Sequence, residues 1–224
     1  MGKFLIPYLA NAGGDLTNLE EDIRNAVQDV EEFYDNRLKQ PIDVIFTCAQ
    51  PEIVISEDKI GGRAHASNFV VMGLPQNGTP SRQTIGEMLC HEIGHAFRWQ
   101  HNPEQADSFM RTAILEGISI CLEEEFAKRF KTKTFFLETI QNRYANGVTC
   151  ASIIKRTKPI WGAAHYDYDM LFYNGNNKLP RWTGYTLGYM IVTHVLSRTD
   201  QNIFDLATKR YSYIEYYFDK MLPR

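Results

Sequence analysis

Residues 90–97 read Cys-His-Glu-Ile-Gly-His-Ala-Phe. Within them, His91-Glu92-x-x-His95 constrains the fold more than any other stretch. On a helix, side chains four apart stand one turn above each other, with Cβ atoms about 5–6 Å apart. The two imidazoles then converge on one point, which is what a tetrahedral zinc needs from a helix. Glu92 follows the first imidazole and can reach a metal-bound water as general base. Such a site requires a helix here, a third ligand from elsewhere and an open coordination position.

The flanking sequence predicts that helix. It starts near Thr79 or Ser81, with Thr84 and Glu87 as a further possible cap. Ile85, Met88, Leu89, Ile93, Ala96 and Phe97 form its buried stripe, and Asn102-Pro103 stops it. Upstream, apolar spacings of three and four predict an amphipathic helix over 17–38, with a capping box at Thr17 to Glu20. The β-branched run 42–47 and the run 68–73 predict strands. Gly61-Gly62 reads as a turn or bulge, and Pro75, Gly78 and Pro80 punctuate a loop. Downstream, helices are expected from Asp107 or Ser108 to about Phe130, over 134–145, near 149–156, over 184–196 and from Ile203 to Met221. Residues 158–182 are irregular and aromatic.

The bulk properties narrow the function. With 224 residues, 44% of them hydrophobic, the chain can bury a substantial core. A net charge of −3 without a basic run excludes an obvious nucleic-acid surface. The acidic run Glu123-Glu124-Glu125 reads as a solvated helix face. No stretch approaches the roughly 18 apolar residues of a membrane span. Cys48, Cys90, Cys121 and Cys150 are widely spaced, and Cys90 and Cys121 lie in apolar helical patterns. Buried free thiols are expected, not a disulfide framework. The apolar stretch 4–9 faintly resembles the end of a signal peptide but contains Pro7. A cytoplasmic location is therefore slightly favoured, with export the alternative if Met1-Gly2 replaces a removed leader.

Two residues compete to be the third ligand. His101 lies six residues after His95, the metzincin spacing, but that pattern needs a glycine where this chain has Arg98. A side chain there meets the steric cost of a sharp left-handed turn. Glu116 lies 21 residues after His95, close to the thermolysin-like spacing. Two antiparallel helices joined by 102–107 would set His95 about 9 Å from the end of one and Glu116 about 12 Å into the other, which favours Glu116.

Three stretches in this order resemble a bacterial family of predicted zinc-dependent proteases of the gluzincin, thermolysin-type clan. They are His91 to His95, Ile114-Leu115-Glu116-Gly117-Ile118-Ser119, and Trp182-Thr183-Gly184-Tyr185-Thr186-Leu187-Gly188-Tyr189-Met190-Ile191-Val192. Members pair H-E-x-x-H with a downstream E-G and a late G-Y-x-x-G-Y-x-I-V segment, and the likeness covers about residues 85–210. The resemblance implies that His91, His95 and Glu116 bind zinc, that Glu92 is the base and that the substrate is a peptide or protein. One departure is Ile118-Ser119-Ile120, where members often carry alanine. Thermolysin-like enzymes also place an acid four residues after the glutamate ligand, and here that position is Ile120. The carboxylates that orient the histidines are thus unassigned.

The expected architecture is an α+β, zincin-like single domain over 1–224. Its N-terminal α/β part, about 1–102, contains the active-site helix; 103–224 is mainly helical. Tyr185 and Tyr189 are candidate donors to the reacting carbonyl oxygen, with His165 and His194 as weaker ones. Gly184 and Gly188 form a ridge of small residues for close backbone approach. Residues 62–66 with 68–73 are a candidate sheet edge for an extended peptide, and His65 there reads as a surface residue. The loop 161–182 is a candidate cleft wall. The expected function is zinc-dependent peptide-bond hydrolysis. The alternatives are a zinc-stabilised peptide-binding protein without catalysis, and an amidase acting on a non-peptide amide.

Overall fold

Burial alternates along residues 42–46: Ile42, Val44 and Phe46 are fully buried, while Asp43 and Ile45 are half-buried. That period of two makes the run a strand with one face on the core. In the computed structural model, which describes residues 4–48, 54–75 and 79–220, it is strand β2 (Ile42–Cys48). It lies between β1 (Leu5–Ala10) and β4 (Phe69–Leu74), parallel to both. Strand β3 (Gly61–Ala66) pairs antiparallel with β4, giving the order β1-β2-β4-β3. The architecture is α+β. Gly61 and Gly62, expected as a turn, begin the edge strand instead. The stretch with the signal-like apolar core is strand β1, with Leu5 fully buried opposite Ile42. Pro7 is tolerated there because β1 is an edge strand and its missing N–H can face outward. Met1, Gly2, Gly78 and Met221, used in the sequence reading, lie outside the described residues.

The chain divides into two units. The first comprises Met1–Pro103 and Leu122–Phe136. It contains the sheet, α1 (Glu20–Tyr34), α2 (Arg82–His101) and the later part of α3 (Phe109–Phe130). Helix α1 is shorter than the predicted 17–38, because 3-10 turns occupy 17–19 and 35–37. The capping box does not form: Thr17 bonds Asp15. The apolar stripe from Ile23 to Tyr34 packs α1 on α2. At the contact, Tyr34 donates its hydroxyl to the Cys90 carbonyl at 2.9 Å. Arg82 adds a two-pronged bond to Asp29 at 2.8 and 2.6 Å. These contacts fix the height and rotation of α2.

The second unit comprises Glu104–Cys121 and Leu137–Arg224. It holds the first part of α3, most of α4 (Phe135–Ala145), α5 (Gly147–Thr157), α6 (Thr183–Arg198), α7 (Ile203–Ala207) and α8 (Tyr211–Asp219). The first amides of α3 have no partner within the helix. Phe109 and Met110 donate theirs to the carbonyls of Ala163 and Trp161, at 3.0 Å each. The helix predicted from Ile203 to Met221 is broken in two. Asn202 caps α7, and the Glu104 carboxylate accepts the Tyr211 amide at 2.8 Å, giving α8 its own start. Residues 158–182 include a π-helix at Asp169–Asn174. Among the described residues no helix is long and apolar enough to cross a membrane. All four cysteines are free thiols, and burial pushes the Cys90 thiol well above its usual range.

Candidate metal centre

Ser81 caps α2 by accepting the Thr84 amide at 3.2 Å, and the helix then runs unbroken to His101. His91 and His95 fall one turn apart on it, their ring centroids 5.1 Å apart. Neither ring is loose. His95 stacks on Trp99 at 6.0 Å, and the edge of His91 meets Phe136 at 6.1 Å. His91 Nδ1 lies 2.9 Å from Glu123 Oε2. When Glu123 is ionised, an Nδ1–H donated to its carboxylate makes Nε2 the ring atom that could face a metal.

Glu116 and Glu123 are both on α3, seven residues apart, or about 10.5 Å along one helix face. The helix that orients His91 through Glu123 therefore also carries Glu116. Ligand atoms of His91, His95 and Glu116 lie within 4.8 Å of one another. The three residues are only 4%, 7% and 7% exposed. Two imidazoles and one carboxylate that close can hold a divalent metal with a coordination position left open.

Glu92 lies against β3. Its Oε2 accepts the Ala64 amide at 2.8 Å. It fits because residue 62 is glycine: a Cβ there would stand 2.5 Å from Glu92 Cγ and 3.0 Å from Oε1. A register irregularity follows between Ala64 and Ala66, and His65 is exposed.

His101 is not in the group. Its Nε2 lies 2.8 Å from the Arg37 carbonyl and its ring packs on Phe97 at 4.5 Å. Arg98, where a metzincin would turn, is fully buried inside the helix. Thr84 and Glu87 do not act as a cap either. Glu87 is fully buried and accepts bonds from Thr132 and Thr134.

Glu123 is not part of the solvated face that its acidic run predicts. Its neighbours Glu124 and Glu125 reach solvent and pair with Lys128. Glu123 is fully buried, and burial first, then the charge of Glu87, pushes its carboxyl up to about 8, although His91 pulls it down. A seven-residue offset from Glu116 was the available signal, since it returns a side chain to the same face after two turns.

Gly188 explains its ridge. A Cβ on it would lie 1.8 Å from the Ala113 carbonyl oxygen, and one on Gly117 would lie 2.2 Å from Gly188. Helix α6 is thereby seated on α3 beside Glu116. Gly184 instead makes room for the Phe172 ring. Tyr185 is half-buried with its ring against Phe172, and Tyr189 is buried against Tyr144. His165 is exposed, and burial with the nearby Arg198 lowers His194. Of the 161–182 aromatics, Trp161, Phe172 and Trp182 are core, while Tyr168 and Tyr173 reach the surface. The charge of Glu116 acts on Tyr168 and Tyr166, whose phenols are raised chiefly by burial.

A family model described as predicted Zn-dependent protease (DUF2268) matches residues 19–214. The chain belongs to this family. The match takes in the whole of α2 and α3, and with them the two histidines and the glutamate that converge. Among solved structures, the chain is similar to an aminopeptidase N family protein from Idiomarina loihiensis, with a TM-score of 0.52 and 11% identity. That likeness, which concerns the fold alone, covers 97% of this chain and 39% of the other, so the chain spans well under half the length of that neighbour. No curated protein matches the chain.

Proposed function

We propose that this member of the family is a zinc-dependent metallopeptidase of the gluzincin type, with His91, His95 and Glu116 as ligands and Glu92 as general base. The observation that carries the reading is the convergence of the three donors within 4.8 Å, with Glu92 next in the chain. The family's description as predicted Zn-dependent protease supports it. The donor set fits zinc, since two imidazoles and a carboxylate with an open position is the pattern of a hydrolytic centre. When bound, zinc polarises a carbonyl and lowers the pKa of water towards 7.

The chain's own residues supply the rest. One Glu92 oxygen is held by the Ala64 amide, and the carboxylate takes the proton of the attacking water and returns it to the leaving amine. The Glu123 carboxylate holds the His91 ring through Nδ1, so Nε2 would be the atom that takes zinc. Strand β3, at the edge of the sheet, offers backbone groups to an extended peptide. A hydroxyl donor stabilises the oxygen that gains charge as the carbonyl is attacked. Tyr185 fits that role better than Tyr189. It shares a helix face with Gly188, which sits against Gly117 beside Glu116, and it is less buried.

The test is a peptide-library digestion by wild type and by Glu92→Ala, with zinc content measured on both. Equal zinc with cleavage by wild type alone is the expected result. Equal cleavage by both would remove Glu92 from the reaction. Zinc-loaded wild type that binds peptides without cutting them would favour the non-catalytic alternative.

A further inference from the structure

Glu87 lies one turn before His91 on α2, fully buried and outside the proposed ligand set. Its carboxylate collects three donors from one short segment. Oε1 accepts the Thr134 amide at 3.0 Å and the Thr134 hydroxyl at 2.6 Å, and Oε2 accepts the Thr132 hydroxyl. The next two amides, of Phe135 and Phe136, go to Asp58 at 2.6 and 2.9 Å. Two carboxylates from different parts of the chain thus hold residues 132–136 from both sides.

That segment touches the His91 system twice. The Phe136 and His91 rings stand nearly perpendicular, and the Thr134 hydroxyl, whose one proton points chiefly to Glu87, lies 3.5 Å from Glu123 Oε1 while Glu123 Oε2 bonds the imidazole. A buried polar network with its donors satisfied is rigid, and its geometry passes to the group at its end. A carboxylate needed only to finish a turn has no reason to lie on the same helix stripe as a metal ligand and share a hydroxyl with that ligand's orienting acid.

We propose that Glu87 is a positioning residue for His91, acting through Thr134 and Glu123, and that residues 132–136 form the clamp that transmits its effect. The proposal rests on the reading of His91 as a ligand. It assigns Glu87 no contact with substrate or metal.

Zinc affinity, measured by competition with a chelating dye, tests it on the full chain. Thr134→Val keeps the shape and the amide but removes the shared hydroxyl; Thr134→Ser restores it. Glu87→Gln weakens the same link from the other end, and serves if the valine variant does not fold. Thr134→Val and Glu87→Gln should each weaken zinc binding about tenfold, the low end of the loss when a ligand's outer partner is removed. Thr134→Ser should return to within about twofold of wild type, and the double variant should be no worse than the weaker single one. Cobalt-substituted Thr134→Val should show shifted visible bands that the serine variant reverses. Folded Thr134→Val and Glu87→Gln proteins with lower melting temperatures but wild-type zinc affinity would overturn the proposal, since a merely structural clamp predicts that result. Wild type that binds no zinc would overturn both the proposal and the site on which it rests.

Discussion

Replacing Gly62 with alanine should separate activity from stability. The added Cβ would stand 2.5 Å from Glu92 Cγ and 3.0 Å from both Cδ and Oε1. The 2.5 Å contact is shorter than real Cβ contacts and the 3.0 Å ones are tight, so the Glu92 side chain must rotate away from β3. In doing so it gives up the 2.8 Å bond from the Ala64 amide, a hydrogen bond to a charged group worth about 1.5–3 kcal/mol. Moving a reacting group by about 1 Å costs on the order of a hundredfold in rate, or about 2.7 kcal/mol of barrier. The fold should not suffer in proportion. Gly62 has no left-handed backbone angle, so the alanine backbone itself is unstrained, and the roughly 0.4–1 kcal/mol that alanine gains through the unfolded chain offsets part of the lost bond. The expected result is kcat/KM down about a hundredfold, zinc content unchanged and a melting temperature lower by no more than about 10 °C, from a net loss of about 0.5–2.6 kcal/mol. Steady-state kinetics on a fluorogenic peptide, with metal analysis and calorimetry on the same samples, would measure all three. Activity within threefold of wild type would refute the argument that β3 seats the base.

Other expectations concern the ligands and the helix seat. Glu116→Ala should lose most of the zinc that wild type retains on gel filtration, while His101→Ala keeps it; the reverse would restore the metzincin assignment. Glu123 is held above the ordinary carboxylate range, up to about 8, so in the metal-free protein it binds a proton that the unfolded chain releases between about pH 4.5 and 8. Its contribution to stability is full below pH 4.5 and lost as pH rises through 8, so the melting temperature of chelated wild type should fall across that range. Glu123→Gln should flatten the fall. Gly188→Ala places a Cβ 1.8 Å from a backbone carbonyl oxygen that cannot rotate away. Urea titration should show a loss of at least about 3 kcal/mol, the upper end for an overpacked core, or no folded protein.

The residues differ in how far they could be read from sequence, and the reason is range. The convergence of His91 and His95, with Glu92 beside them, is set by local helix geometry, so spacing alone predicts it. Glu116 needs a second helix, and a start at Asp107 or Ser108 with the stop at Asn102-Pro103 bounds both helices closely enough to match depths. Gly62 looked like a turn because glycine usually marks one. Its actual demand, room for Glu92, comes from a side chain 30 positions away. Glu87 has the spacing of a cap with Thr84, yet its partners are Thr132 and Thr134, just beyond the end of α3. Strand β1 was hidden because an edge strand containing proline carries a weak alternating pattern. The break between α7 and α8 follows from Glu104, more than a hundred residues upstream.

Glu116 and Glu123 share α3, and this places a rule on how the chain can vary. Seven residues bring a side chain back to within about 20° of its starting direction. A single insertion or deletion between them would turn one acid by about 100° away from the histidine pair, and no local adjustment could restore it. The segment from Glu116 to Glu123 should therefore admit substitutions but no change in length. An acid four positions on, as in thermolysin-like enzymes, and an acid seven positions on lie on the same helix stripe one turn apart. An acid at either offset on that stripe can face the histidine pair, so a search at one fixed offset overlooks Glu123.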